Sequence, residues 1–224
     1  VIKEALEYLV GLAPTETFEY EGLQYTSNQL CAVLPPLPDV VKLNTLESIA
    51  LFVNGEHISG EFLISPQSVG FFGPEDKWCR KPHLARSVAI VPNFQPGGYQ
   101  PHEQFILWVL THFEDDAERQ RLLAFAGNVR NESIQTSEDD GVTQIAAVKR
   151  GAKLKEEGWK NPVMLAPFRT FDEVAQPKSR FIFRIRDDLQ MGLWTVEDNA
   201  WKLEAMRAIK SQLMQLGVTQ QIYI

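Results

Sequence analysis

Apolar residues recur along this chain with two different periods, and the alternation between them outlines its elements. Ile2, Ala5, Leu6, Leu9 and Val10 fall at helical spacing, and Gly11 and Pro14 are placed to end the helix. Thr17 to Thr26 reads as a hairpin: Phe18, Tyr20, Leu23 and Tyr25 favour strand, and Glu21-Gly22 supplies the turn. Leu34-Pro-Pro-Leu-Pro38 lacks backbone donors and is a stiff connector. Asn44 and Glu47 have the spacing of a capping box ahead of Leu46, Ile49, Ala50 and Val53, with Gly55 as the stop. Strand-like runs follow at 61–65, 68–72 and 87–92, divided by Ser65-Pro66 and Gly73-Pro74.

The breaker-rich stretch Asn93 to Pro101 predicts a loop, either functional or a joint between subdomains. A strong helix starts at Pro101-His-Glu and carries Phe105, Ile106, Trp108, Val109, Leu110 and Phe113. Glu114-Asp115-Asp116 breaks it, and the acids suit the positive start of a second helix through Leu122, Leu123, Phe125 and Ala126. Strands are predicted at 132–137 and 142–149 around the turn Glu138-Asp-Asp-Gly141. Further strands are expected at 163–168, 179–186 and 191–196. A long helix runs from about Asn199, with Trp201, Ala205, Met206, Ile209, Leu213 and Leu216 on or beside its apolar stripe. Gly217 is its C-cap, and 220–224 forms a last strand. The expected fold is therefore α+β: a mainly antiparallel sheet with a few helices packed on it, and a long C-terminal helix before a short final strand. One domain over residues 1–224 is expected, with the subdomain joint, if present, at 93–101.

Composition changes this picture little. The chain has 224 residues, 44% hydrophobic and 23% charged, which is ample for a packed core without disulfides or metals. A net charge of −7 disfavours generic duplex binding unless basic residues gather on one face. Lys149, Arg150, Lys153 and Lys155 do lie together, but Glu156 and Glu157 follow, and a solvated loop or strand end is the simplest reading. Cys31 and Cys79 belong to no Cys-x-x-Cys pair and are expected to be reduced and structural, which fits a cytoplasmic protein. No apolar run reaches the ~18 residues of a membrane span. The opening residues lack signal-peptide character. The absence of Met at position 1 predicts an N-terminus further upstream.

Tests for chemistry give no catalytic residues, no metal ligands and no cofactor motif. His57, His83, His102 and His112 fit no His-Glu-x-x-His pattern, and His102 and His112 stand ~15 Å apart along one helix. Gly-x-Ser-x-Gly is missing, and Gly151 to Gly158 lacks the Gly-Lys-Ser/Thr ending of a phosphate loop. Glu138, Asp139 and Asp140, with Gln144 and Lys149, imitate a magnesium nuclease centre, but the acid wanted two places before the lysine is Ala147. The one polar grouping left is basic. Arg180, Arg184 and Arg186, with Arg169 and Lys178, fall in or beside two strands near Phe168 and Phe171. They are the candidate binding surface for a phosphate or acidic partner. The alternative is a solvent-facing strand whose arginines pair with Glu173, Asp187 and Asp188.

The blocks Asp140-Gly-Val-Thr-Gln144, Lys149-Arg-Gly151, Asn161-Pro-Val-Met-Leu165, Pro167-Phe-Arg-Thr-Phe171, Glu173-Val174, Gln176-Pro177, Ser179-Arg-Phe-Ile-Phe-Arg184 and Trp201-Lys-Leu-Glu-Ala205, in this order and spacing, resemble a phage and prophage family of unknown function, the YfdQ-like proteins. The resemblance covers roughly the last 95 residues and only loosely the Asn44–Val53 helix. Before Trp201 it calls for an acid followed by glycines, where this chain has Glu197-Asp-Asn-Ala200, so no ligand loop is carried over. The family supplies no catalytic residues. It implies a bacteriophage-encoded protein of the host cytoplasm, similar to ones often encoded near phage recombination and replication genes. The functional expectation is a non-enzymatic accessory protein that binds a phage or host protein, or itself as a homo-oligomer. Binding of single-stranded nucleic acid or a nucleotide is the alternative, and a metal-dependent nuclease ranks last.

Overall fold

The computed structural model describes residues 2–11, 16–20, 22–26, 32–129, 143–150, 153–186, 189–196 and 199–224. The chain divides into two compact units, Val1–Asp39 and Val40–Ile224. The first holds helix α1 (Ile2–Gly11) and an antiparallel sheet in the order β1 (Thr17–Tyr20), β2 (Leu23–Thr26), β3 (Ala32–Val33). Gly22, at φ 74°, makes the β1–β2 turn, a conformation that costs glycine little. Leu34 to Asp39, rich in proline, is exposed and irregular.

The second unit is built on two sheets, each with helices on one face. The first sheet has the order β14-β5-β6-β7-β4, from β4 (Val41–Leu43), β5 (Glu61–Ser65), β6 (Ser68–Phe72), β7 (His83–Val88) and β14 (Gln221–Tyr223). Both edge strands run parallel to their neighbours; the inner pairs are antiparallel. Helices α2 (Leu46–Gly55) and α5 (Ala200–Gln215) cover one face. Leu46, Ile49, Val53, Ile209 and Leu213 pack there against Phe62, Val69 and Phe71.

The second sheet is antiparallel, in the order β11-β12-β13-β8, from β8 (Gln100–Pro101), β11 (Val163–Leu165), β12 (Ser179–Ile185) and β13 (Gln190–Thr195). Helices α3 (His102–His112) and α4 (Ala117–Asn128) cover one face. Phe105, Val109, Leu122 and Phe125 meet Phe181, Phe183, Met191 and Leu193 in a largely aromatic core. The remaining strands, β9 (Thr143–Arg150) and β10 (Lys153–Lys160), form a two-stranded antiparallel ribbon. The architecture is α+β, and the longest helix, α5, precedes the short last strand β14.

Three local expectations are corrected. The cap of α2 is Thr45, whose Oγ1 accepts from Ser48 N at 3.1 Å, not Asn44. Its first turn is also capped from a distance: the Glu173 carboxylate accepts from Leu46 N and Glu47 N, both at 2.9 Å. Strand β7 lies at 83–88 rather than 87–92, with Phe71 and Phe72 in register with Ala85 and His83. Beyond α2, the residue with positive φ is His57, not Gly55. Gly217, by contrast, takes φ 83° and closes a Schellman cap, Gly217 N to Met214 O and Val218 N to Leu213 O. The Glu138–Gly141 turn and the strand predicted at 132–137 lie outside the described residues.

Candidate functional site

The segment from Ala166 to Lys178 ties the two cores together. Glu114 N donates to Ala166 O and Phe168 N to His112 O on one side. On the other, Thr170 Oγ1 donates to Pro66 O at 2.6 Å, and Phe171 and Val174 enter the core of the five-stranded sheet. Gln176 holds the turn. Its Oε1 accepts from Arg169 N at 2.9 Å and Thr170 N at 3.2 Å, and its Nε2 donates to Phe171 O at 3.1 Å.

This geometry separates the six residues of the predicted binding surface. Phe171 is only 1% exposed and belongs to the core. Arg169 is 7% exposed; its guanidinium donates to Pro177 O and Ser179 Oγ and lies 4.2 Å from the Trp201 ring centre. It holds the crossing segment against α5. Phe168 and Arg169 line a cavity of about 380 Å³ with Gln67, Asn93, Phe94 and Trp201. Arg180, Arg184 and Arg186 lie elsewhere, on β12 and just beyond it. Glu173, one of the carboxylates that would neutralise them, is occupied at the start of α2. Asp187 and Asp188 lie outside the described residues.

The outer face of the four-stranded sheet is where the arginines gather. Along β12, Ser179, Phe181, Phe183 and Ile185 are buried, so Arg180, Ile182 and Arg184 take the opposite side. Register places Met164 beside Arg180, Trp194 beside Ile182 and Gly192 beside Arg184. Gly192 is required there. A Cβ would stand 2.5 Å from Gly98 O and 2.6 Å from the Trp194 ring. The glycine lets the loop before β8 close against β13, with Gly97 N donating to Leu193 O at 2.8 Å. Tyr99 is thereby set edge-on to Trp194, ring centres 4.7 Å apart, and the Arg186 guanidinium stands 3.8 Å from the Tyr99 ring centre. Both rings are half-buried.

Asn161 keeps this sheet in order beyond the end of β11. Its Oδ1 accepts from Phe183 N at 2.8 Å, and its Nδ2 donates to Phe183 O at 3.1 Å. One buried side chain thus substitutes for a neighbouring strand. Arg119 and Asp116 fix the helical layer behind. Arg119 donates to Phe113 O and Leu110 O, and Asp116 caps α4 by accepting from Arg119 N. Burial works to raise the Asp116 pKa, but the Lys178 ammonium 2.7 Å away and the first main-chain N–H groups of α4 outweigh it and hold the carboxyl below its ordinary value.

The face presents guanidinium groups and aromatic rings together, a combination that grips phosphates and stacks on flat rings. Tyr99 and Trp194 do not figure in the sequence reading. Alternation along 190–195 contains the signal for Trp194, whereas the approach of Tyr99 depends on the path of the loop. His102 serves packing, its Nε2 lying 2.9 Å from Ala126 O, and His112 Nδ1 lies 3.0 Å from Trp108 O. Among the described residues no three His, Cys, Asp or Glu side chains converge as a metal site. Glu138 to Asp140 lie outside those residues. Cys79 is an exposed free thiol. No described helix is long and apolar enough to cross a membrane. Fold and site thus define an α+β protein with an Arg–aromatic sheet face. No known family, curated protein or solved structure matches the chain.

Proposed function

We propose that this is a non-enzymatic binding protein that takes single-stranded nucleic acid on the outer face of its four-stranded sheet. The observation that supports this reading is the grouping of Arg180, Arg184 and Arg186 with Tyr99 and Trp194 on one face of an antiparallel sheet. Stacking on an aromatic ring contributes about 1–3 kcal/mol per base, and guanidinium groups add phosphate contacts. A net charge of −7 does not exclude this, since screening confines each charge to about 8 Å at physiological salt. The test is fluorescence polarisation of a labelled oligo-dT at low salt. Trp194→Ala should weaken binding by about 5- to 150-fold, the equivalent of one stacked base. Polarisation that does not change with wild-type protein at low salt rejects the reading.

Self-assembly or binding of another protein is the second reading, and a different surface favours it. On the face of the five-stranded sheet opposite α2 and α5, Leu63 and Tyr223 are neighbours in register and are 55% and 48% exposed. Val88 is also exposed there, and Phe72 stacks on His83 with ring centres 4.5 Å apart. The bacteriophage setting and the cytoplasm of a bacterial host rest on the resemblance of the C-terminal blocks alone.

A further inference from the structure

We propose that the cavity between the two cores of the larger unit is a binding site for a single purine base, the adenine of a free nucleoside. The inference goes beyond the sheet-face reading and stands without it. The cavity, of about 380 Å³, lies where four segments meet. Gln67 comes from the β5–β6 turn, Asn93 and Phe94 from the chain leaving β7, Phe168 and Arg169 from the crossing segment, and Trp201 from the start of α5. Its volume falls within the ~300–1,000 Å³ of small-molecule sites, which favour the junctions between packed bodies.

Each wall is fixed by contacts of its own, so the space is held open. Phe168 N donates to His112 O at 2.9 Å, and Thr170 Oγ1 donates to the carbonyl of Pro66, the residue before Gln67. Ala89 N donates to Gln67 O at 2.9 Å, which joins the β5–β6 turn to the chain leading to Asn93. Phe94 stacks on Trp108 with ring centres 5.6 Å apart, and meets Phe113 edge-on at 5.4 Å. The Arg169 guanidinium, bonded to Pro177 O and Ser179 Oγ, lies over the Trp201 ring. Phe94, Phe168 and Trp201 nevertheless stay half-buried, so three rings from three segments keep open area at one hollow. Walls that are already ordered lose little entropy when a flat ring enters.

The polar groups select among flat ligands. Gln67 and Asn93 are exposed carboxamides, each with an NH2 donor and an oxygen acceptor. Asn93 Oδ1 accepts from Gln95 Nε2 at 3.3 Å, while the Gln67 carboxamide makes no hydrogen bond to another described residue. A carboxamide pairs with N6 and N7 of adenine together, and unstacked bases are received on aromatic rings and guanidinium planes. No carboxylate occurs among the described residues lining the cavity, so a cationic ligand finds no counter-charge there.

Equilibrium dialysis of the protein against adenosine tests the site, with indole as a flat ring that lacks the N6/N7 edge. Saturable binding of adenosine is expected, tighter than that of indole. A variant combining Gln67→Ala and Asn93→Ala, both at exposed positions, should weaken it by about 5- to 150-fold. Phe168→Ala should do the same through lost stacking, and circular dichroism checks that each variant is folded. Trp194→Ala, on the outer sheet face, should leave adenosine binding unchanged. Absence of saturable binding to wild type overturns the inference and leaves the sheet-face reading to its own test with oligo-dT. Full affinity in the carboxamide variant overturns it as well, and if Trp194→Ala has lost binding the base sits on the sheet face instead. Equal affinity for indole and adenosine also overturns it, because it marks an apolar hollow that does not read a base.

Discussion

At the scale of single residues, position in the fold overrides residue type. Arg169 and Arg180 lie eleven places apart in one basic stretch, yet the first is a buried tie and the second an exposed side chain. Arg169→Ala leaves Pro177 O and Ser179 Oγ without their donor and removes the stack on Trp201. It should cost about 2–4 kcal/mol, since a buried acceptor that loses its partner keeps its desolvation penalty. Arg180→Ala should stay within about 0.5 kcal/mol, as exposed substitutions usually do. Urea denaturation of both variants checks the pair, and equal midpoints would place Arg169 at the surface. Ordering by β12 also explains why the candidate face was only partly legible in the sequence. Alternation from Ser179 to Ile185 separates the arginines from the phenylalanines, but no local rule brings Tyr99 onto Trp194. That contact exists because Gly192 leaves room for the loop.

Among the elements, the α3–α4 corner offers the clearest dependence on pH. The Asp116 carboxyl accepts from Arg119 N and pairs with Lys178, which joins the start of α4 to the start of β12. Its pKa is lowered in the folded chain, so its contribution is present above the ordinary carboxyl value near 3.9 and is lost as pH falls through the lower folded value. Lys178 is raised, mainly by its hydrogen bond to Asp116, so its contribution persists to alkaline pH and disappears only above the ordinary lysine value. Asp116→Asn should therefore flatten the acid limb of a plot of melting temperature against pH, with the larger change above pH 5. A parallel displacement of the whole curve, acid limb included, would mean that Asp116 acts through packing alone. The acidic break before α4 was readable as a helix start. Its bond to Lys178, 62 residues on, was not.

For the larger unit as a whole, two cores share one compact body, and the described helices of that unit pack on one face of each of its two main sheets. The opposite face of the five-stranded sheet carries Leu63 and Tyr223 side by side, an arrangement suited to burial against a second copy. Light scattering should report a dimer or larger assembly, and Leu63→Lys with Tyr223→Lys should return it to monomer. A wild-type monomer at high concentration rules out this face as a self-association surface. The outer face of the four-stranded sheet holds the arginines and is reserved for the nucleic-acid test, so the two readings answer to different substitutions.

Sequence by itself determined the α+β class, most element positions, the Gly22 turn, the Gly217 cap and the apolar face of β12. These depend on period and local backbone chemistry, which act over a few residues. Tertiary structure alone decided that Arg169 is a core tie, that Glu173 caps α2 from 126 residues away, that Asn161 completes a strand, and that Tyr99 and Trp194 share a face with three arginines. Each of these is a contact between segments far apart in the chain. Such contacts follow from how layers pack and where a loop finds room, and neither is encoded in any local pattern.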